Sequence, residues 1–408
     1  MDNYFPSLNK FLTSKIGAFF ILLPFVKPAA ELTGDFDVIF DVWKLVASAL
    51  ILIGCVWTLH KANRIVYWIM GLQLVMLLST IINKADFKAA IVQVLSVISI
   101  CIYFDYFMRV DSYNAISSIM LPLVSMSILT AISMFVFYPN GMYVVGDESV
   151  GDVIRQNYLW GFDNASIFNF IPGMYLLGLY ALNNNIKKQI KIWTVILFLF
   201  ISLAFLYVFS ITAFIGCFAI TFVFMFLILY KKKIHVFTTR NLVILIVALT
   251  LILFISKDNL HLLMDFASKT DKSMSIKTRF VIWDLVIKLW EKSPIIGYGI
   301  EDHNILVEKL SIDHPHNYFM DVLYRAGILG IFSVVGVFYN LIKGKWADTH
   351  INAFSAIVIF VLLLIAQLDF YNDHYLFYPV MIVLIHSKSI VDERANSFNE
   401  SGIAIEQT

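Results

Sequence analysis

Apolar runs of roughly 16–24 residues recur along this chain with short polar breaks between them. A membrane-spanning helix needs about 17–25 residues. Twelve such runs stand out: 16–33, 42–59, 65–82, 87–107, 115–138, 164–182, 192–209, 211–230, 241–256, 324–342, 351–370 and 374–388. They are far longer than the strands of a membrane barrel, so the spanning form is helical. A chain of 408 residues could make two soluble domains, but 60% hydrophobic and 14% charged residues lie far from soluble composition. The expectation is an all-α polytopic membrane protein, a single integral membrane domain over residues 1–408. A net charge of +1, with no basic patch interleaved with aromatics, argues against nucleic acid as a partner.

Lys and Arg set the orientation. The breaks "HKANR", "MRVDS", "NNNIKKQIK", "YKKKIHVFTTR" and "KGKWADTH", together with both termini, hold 16 basic residues. The short connections of the other set hold five: Lys27, Lys44, Lys84, Lys88 and Arg155. The first set is therefore expected in the cytoplasm, with both termini there and a polar cytoplasmic tail at 389–408. Lys27 and Pro28 interrupt the place where a signal-peptide cleavage site would fall, so the first run reads as an uncleaved span. Cys55, Cys101 and Cys217 all lie inside apolar runs and read as small buried residues, with no disulfide or zinc spacing.

Two outer connections are long: 139–163, and a large extracytoplasmic loop at 257–323, a length that points to function. Within the second, "IKTRFVIWDLVIKLWEK" places Lys277, Asp284, Lys288 and Glu291 on one helical face and Arg279, Trp283, Val286 and Trp290 on another. This reads as an amphipathic helix at the bilayer surface. Arg279 falls on the apolar side, where a lone charge is costly. It should meet an anion, either a lipid phosphate or structural carboxylate, or a phosphorylated substrate that its guanidinium grips in a fork. Next, "KSPIIGYGIED" ends the helix at Pro294 and turns tightly at Gly297 and Gly299; it lacks the third glycine and the setting of a phosphate loop. Arg155 precedes Gly173 by the eighteen positions that separate Arg279 from Gly297, and the two segments end in "FIPG" and "PIIG".

The densest polar stretch is "DHPHNYFMDVLYRAG" at 313–327. Pro315 suits a first helical position, with His316 in the first turn. There the helix terminus would hold His316 neutral and draw anions through its free N–H groups. Asp313 could orient an imidazole, and His314 lies beside the turn. Asn317, Asp321 and Arg325 follow as a stripe, the last two readable as a helix-surface ion pair. His316 could also be an ordinary interfacial histidine. No H-E-x-x-H pattern supports a metal.

With these residues in view, the chain resembles the O-antigen polymerase and ligase family, the Wzy-type membrane glycosyltransferases. "TRFVIWDLVIKLWEKSPIIGYG" resembles the family's Arg, nearby Trp and Pro-hydrophobic-Gly-x-Gly. "HPHNYFMDVLYRAGILGIF" resembles its His-Asn helix start followed by a small-Gly-Ile-x-Gly run, and "FDNASIFNFIPG" is similar to its Asn-containing start of a middle span. The sequence departs from the family at "VFSITAFIG", which has Ser210 and Thr212 where a Ser-Arg is common, and at Arg325, where an acid is common. The resemblance implies a GT-C-like architecture of about 12 transmembrane helices. It implies work outside the cytoplasmic membrane on sugars carried by undecaprenyl diphosphate, with no cofactor or metal. Carried over by position, Arg279 would bind the donor diphosphate and His316 would be the catalytic histidine. Arg155 matches more loosely as a substrate-binding arginine. His314, Asn317, Asp321 and Arg325 would also line the substrate.

The expected activity is polymerisation: a growing glycan passes from undecaprenyl diphosphate to the next lipid-linked repeat unit, making capsule, exopolysaccharide or O-antigen. Expected partners are the lipid-linked oligosaccharide as donor and acceptor, membrane lipids, a chain-length regulator and a flippase. A ligase acting on another acceptor is the alternative. So is a flippase or transporter, although transporters usually carry midplane charges and repeats.

Overall fold

The computed structural model describes residues 5–26, 35–147, 153–157, 167–182, 186–207, 210–229, 240–242, 244–246, 248, 273–312, 314–343, 350–368 and 375–386. Helices dominate. The first four are α1 (Pro6–Leu12), α2 (Lys15–Leu22), α3 (Asp35–Cys55) and α4 (Arg64–Ile82). Then come α5 (Phe87–Val110), α6 (Ser112–Ile132), α7 (Ile167–Ala181), α8 (Lys188–Tyr207) and α9 (Ile211–Leu229). Last are α10 (Ser273–Trp290), α11 (His303–Leu310), α12 (Tyr318–Lys343), α13 (His350–Ala366) and α14 (Phe377–Ile385).

Seven of these are long and apolar enough to cross a membrane, and α1 with α2 would make an eighth if that pair, bent by 75°, is one span. The protein is a polytopic membrane protein. Helices α7, α13 and α14 fall on three further apolar runs but are shorter, at 15, 17 and 9 residues. The run 241–256 lies mostly outside the described residues, as does the polar tail. The first run is more complex than one straight span. The bend between α1 and α2 is held by Tyr103, which donates to the Leu12 carbonyl at 2.8 Å, and by Asn114, which donates to that of Thr13 at 3.0 Å. Its inner corner is so tight that a Cβ on Gly17 would sit 1.8 Å from the Phe11 oxygen.

The connection 139–163 contains a hairpin, β1 (Tyr143–Asp147) antiparallel to β2 (Val153–Asn157), with Val145 opposite Arg155. Gly173 and Gly297, equally spaced from their arginines, are structurally unlike. Gly173 sits inside helix α7, one residue after Pro172, whereas Gly297 is in a loop with φ 68°. The repeated spacing carries no shared geometry.

Candidate active site

The segment 294–299 is spliced into helix α12. At Gly327, with φ 57° and ψ −152°, the helix breaks. In an unbroken helix the N–H groups of Ile328 and Leu329 would donate to Tyr324 and Arg325, four residues back. Instead they donate to the carbonyls of Pro294 (2.9 Å) and Ile295 (3.2 Å), while the carbonyls of Tyr324 and Arg325 accept from Tyr298 (2.8 Å) and Gly299 (2.9 Å). All four backbone groups released by the break are satisfied, as buried backbone requires.

Glycine is needed on both sides of this splice. A Cβ on Gly297 would meet the Tyr324 oxygen at 2.3 Å, and one on Gly327 would meet the Ile295 oxygen at 2.5 Å. The splice is also pinned to the end of α4. Asn83 donates to the Gly297 carbonyl (3.0 Å), and the Ile300 N–H donates to the Thr80 hydroxyl (2.9 Å). The tight turn expected at Gly297 and Gly299 is present, and its partner is the broken helix.

The splice frees Tyr318–Ala326 to be a short helix of its own, carrying the polar stripe. Asn317 caps it: its Oδ1 accepts from Phe319 (2.9 Å) and Met320 (3.1 Å). The helix therefore begins at Tyr318, six residues before the expected span, and His316 lies outside it. This corrects the placement of Pro315 and His316 in the first turn. An asparagine cap is the better start because its side chain takes up N–H groups that the helix leaves unpaired. Those donors are thereby occupied, so they do not form the expected anion site.

His316, partly buried, adopts φ 52°, a left-handed conformation uncommon outside glycine. Its ring meets that of His314 edge-on, with centroids 4.0 Å apart; His314 is buried. Asp313 lies outside the described residues.

Helix α10 reaches this turn through Trp283, whose indole donates to the Pro315 carbonyl at 2.9 Å. Ile282, Trp283 and Val286 pack with Leu306, Leu310, Met320 and Tyr324 in a small core. The apolar side of α10 thus faces protein, a correction to the bilayer-surface reading, although Lys288 and Asp284 do pair on the outer side at 2.7 Å. Each large side chain buried there contributes about 1.5–3 kcal/mol relative to exposure. Arg279 stands one turn before Trp283, partly buried, with no ion-pair or hydrogen-bond partner among the described residues. Behind the core, Glu301 accepts from Tyr324 and from Lys309 (2.6 Å), and the Lys309 ammonium covers the Tyr298 ring. Burial, then the Glu301 carboxylate, push the Tyr298 phenol up.

Asp321 and Arg325 pair at 2.8 Å through Nε, but both are buried, at 1% and 6% exposure. That corrects the surface-pair reading: one polar stripe of α12 turns inward. Sequence reasoning missed Gln367, just past α13, whose backbone carbonyl accepts from the Asn317 side chain at 2.9 Å. No local pattern marks it.

The structure thus gathers His314, His316 and Asn317 in one turn, with Asp321 and Arg325 on the helix that follows, while Arg279 lies on α10 one helical turn before Trp283, which bonds to that turn. Arg155 lies on the β2 strand, and its side chain is outside the described ones. Among the described residues no group of three His, Cys, Asp or Glu side chains could hold a metal.

No curated protein matches the chain. A family model does: residues 196–335, about a third of the chain, match the one described as O-antigen ligase. That interval runs from within α8 through the splice to the lower half of α12. It contains every gathered residue and leaves out Arg155 and Gln367. Members of this family are glycosyltransferase-like ligases and polymerases. The similarity of this membrane protein to the O-antigen ligase family rests on residues 196–335.

Proposed function

We propose that the protein is a polysaccharide polymerase. It would transfer a growing glycan from undecaprenyl diphosphate to the next lipid-linked repeat unit, at the outer face of the cytoplasmic membrane. The observation that carries this reading is the Trp283–Pro315 hydrogen bond, which ties the helix bearing an unpaired Arg279 to the turn bearing His316. A cation and a base candidate then lie on two elements that touch.

In the proposed step His316, unprotonated, removes the proton of an acceptor hydroxyl, and that oxygen attacks the anomeric carbon of the donor glycan. The bond from that carbon to the diphosphate oxygen breaks, the electron pair leaves with undecaprenyl diphosphate, and the anomeric configuration inverts. Arg279 meets the leaving diphosphate, where fixed positive charge stabilises the developing anion. General-base help of this kind is worth about 10²–10⁴-fold. The excess of Lys and Arg in alternate breaks supports both termini in the cytoplasm and the site outside.

The test is reconstitution in proteoliposomes with one substrate, the undecaprenyl-diphosphate repeat unit of the cell's own surface polysaccharide. A ladder of glycan lengths supports polymerase. Transfer seen only after a second acceptor is added would make the protein a ligase, the reading closest to the matched family's description. Movement of the lipid-linked unit across the membrane without any transfer would make it a flippase.

A further inference from the structure

The neighbourhood of Asn317 holds polar groups that the packing leaves incomplete. Asp321, 1% exposed, uses Oδ1 for Arg325, and its Oδ2 has no partner among the described residues. Gln367, 3% exposed, receives Asn317 on its carbonyls, and its Nε2 has no partner there either. Among the described residues Arg325 donates from Nε alone. A buried donor or acceptor left unpaired costs free energy, and native proteins seldom tolerate one without a role for it.

Buried atoms without a partner occur elsewhere among the described residues, at Gln73 Oε1 and Ser96 Oγ, but a comparable Asp–Arg pair is complete. Asp105 and Arg109 form a second Asp–Arg pair, also four residues apart and also 2.8 Å through Nε. There both carboxylate oxygens are used, Oδ1 taking the Asn63 N–H (3.2 Å) and His386 (3.0 Å), while Arg109 reaches the Thr58 hydroxyl (3.3 Å).

The chemistry of the unfilled groups selects a ligand class. A free carboxylate oxygen repels phosphate, so a diphosphate belongs at Arg279 and not here. A carboxylate acceptor beside an amide donor and a guanidinium matches a group that both donates and accepts, and a hydroxyl does so. We infer that Asp321 Oδ2, Gln367 Nε2 and the outer nitrogens of Arg325 form a subsite for sugar hydroxyls of the repeat unit, with Gln367 as a substrate-contacting residue. This rests on the transferase reading and divides its site in two: cationic at Arg279 for the lipid diphosphate, neutral at Asp321 and Gln367 for the glycan.

The test uses the full chain in nanodiscs and two probes, the free oligosaccharide repeat unit released from its lipid and undecaprenyl diphosphate without sugar. Gln367→Ala keeps the backbone carbonyl that holds Asn317, and Asp321→Asn keeps the shape of the carboxylate. Each should weaken binding of the free repeat unit roughly tenfold or more, while affinity for undecaprenyl diphosphate changes less than about twofold. Elongation of the free unit would place the subsite on the acceptor side, and inhibition without elongation on the donor side. Unchanged sugar affinity in both folded variants, or a loss confined to undecaprenyl diphosphate, overturns the inference. If the wild-type protein binds undecaprenyl diphosphate but no sugar, the subsite fails and the transferase reading stands. If it binds neither probe, both fail.

Discussion

Asp105–Arg109 and Asp321–Arg325 are the same motif at two places in the fold. Each is a carboxylate and a guanidinium one helical turn apart, joined through Nε at 2.8 Å, with the aspartate side chain about 1% exposed. The first is closed by residues from three other places in the chain: Asn63 ahead of α4, Thr58 after α3, and His386 at the end of α14. The second sits on a short helix created by a break and has polar atoms to spare. A buried ion pair adds little net stability and is costly to break. The closed pair therefore reads as a tie between helices. The open one reads as a surface kept for something that arrives.

This comparison can be broken in several ways. The largest effect should come beside the open pair: His316→Ala should cut glycan transfer by about 10²–10⁴-fold with melting unchanged, checked by single-turnover transfer and thermal unfolding in detergent. Arg279→Lys should lose most transfer for want of fork geometry, read in the same assay. At the closed pair the sign reverses. Asp105→Ala should cost about 3–5 kcal/mol of stability, leaving transfer per folded molecule near wild type; unchanged unfolding would remove the distinction. Gly327→Ala forces a Cβ toward the Ile295 oxygen at 2.5 Å in a conformation that costs about 1–3 kcal/mol for other residues. It should lower both melting temperature and transfer, because the splice shapes the open site. Smallest of all, Lys288→Ala removes an exposed partner of Asp284 and should shift neither readout.

Much of the membrane architecture was legible in the sequence. The apolar runs at 65–82 and 211–230 coincide with α4 and α9 almost residue for residue, because a lipid-facing helix advertises itself by average hydropathy. The start of α12 was misplaced for the same reason: Asp321 and Arg325 depress hydropathy there, although they are buried against protein. The candidate residues Arg279, His316 and Asn317 could be picked out because charge and imidazole are conspicuous in so apolar a chain. The splice could not. Pairing of 294–299 with 324–329 joins segments thirty residues apart, and its only local trace is glycine at 297, 299 and 327. Gln367 was invisible because its meaning lies in Asn317, fifty residues earlier. The hairpin carrying Arg155 went unread too, since a five-residue strand in a polar connection leaves no distinctive period.

The most direct measurement compares the wild-type protein and His316→Ala in proteoliposomes given only the undecaprenyl-diphosphate repeat unit, with products resolved by length. The account predicts a ladder from the wild type and none from the variant, with equal insertion and melting. A full ladder from His316→Ala would contradict the assignment of the base, and no ladder from a wild type shown to be folded, with a substrate competent for another polymerase, would contradict polymerisation itself.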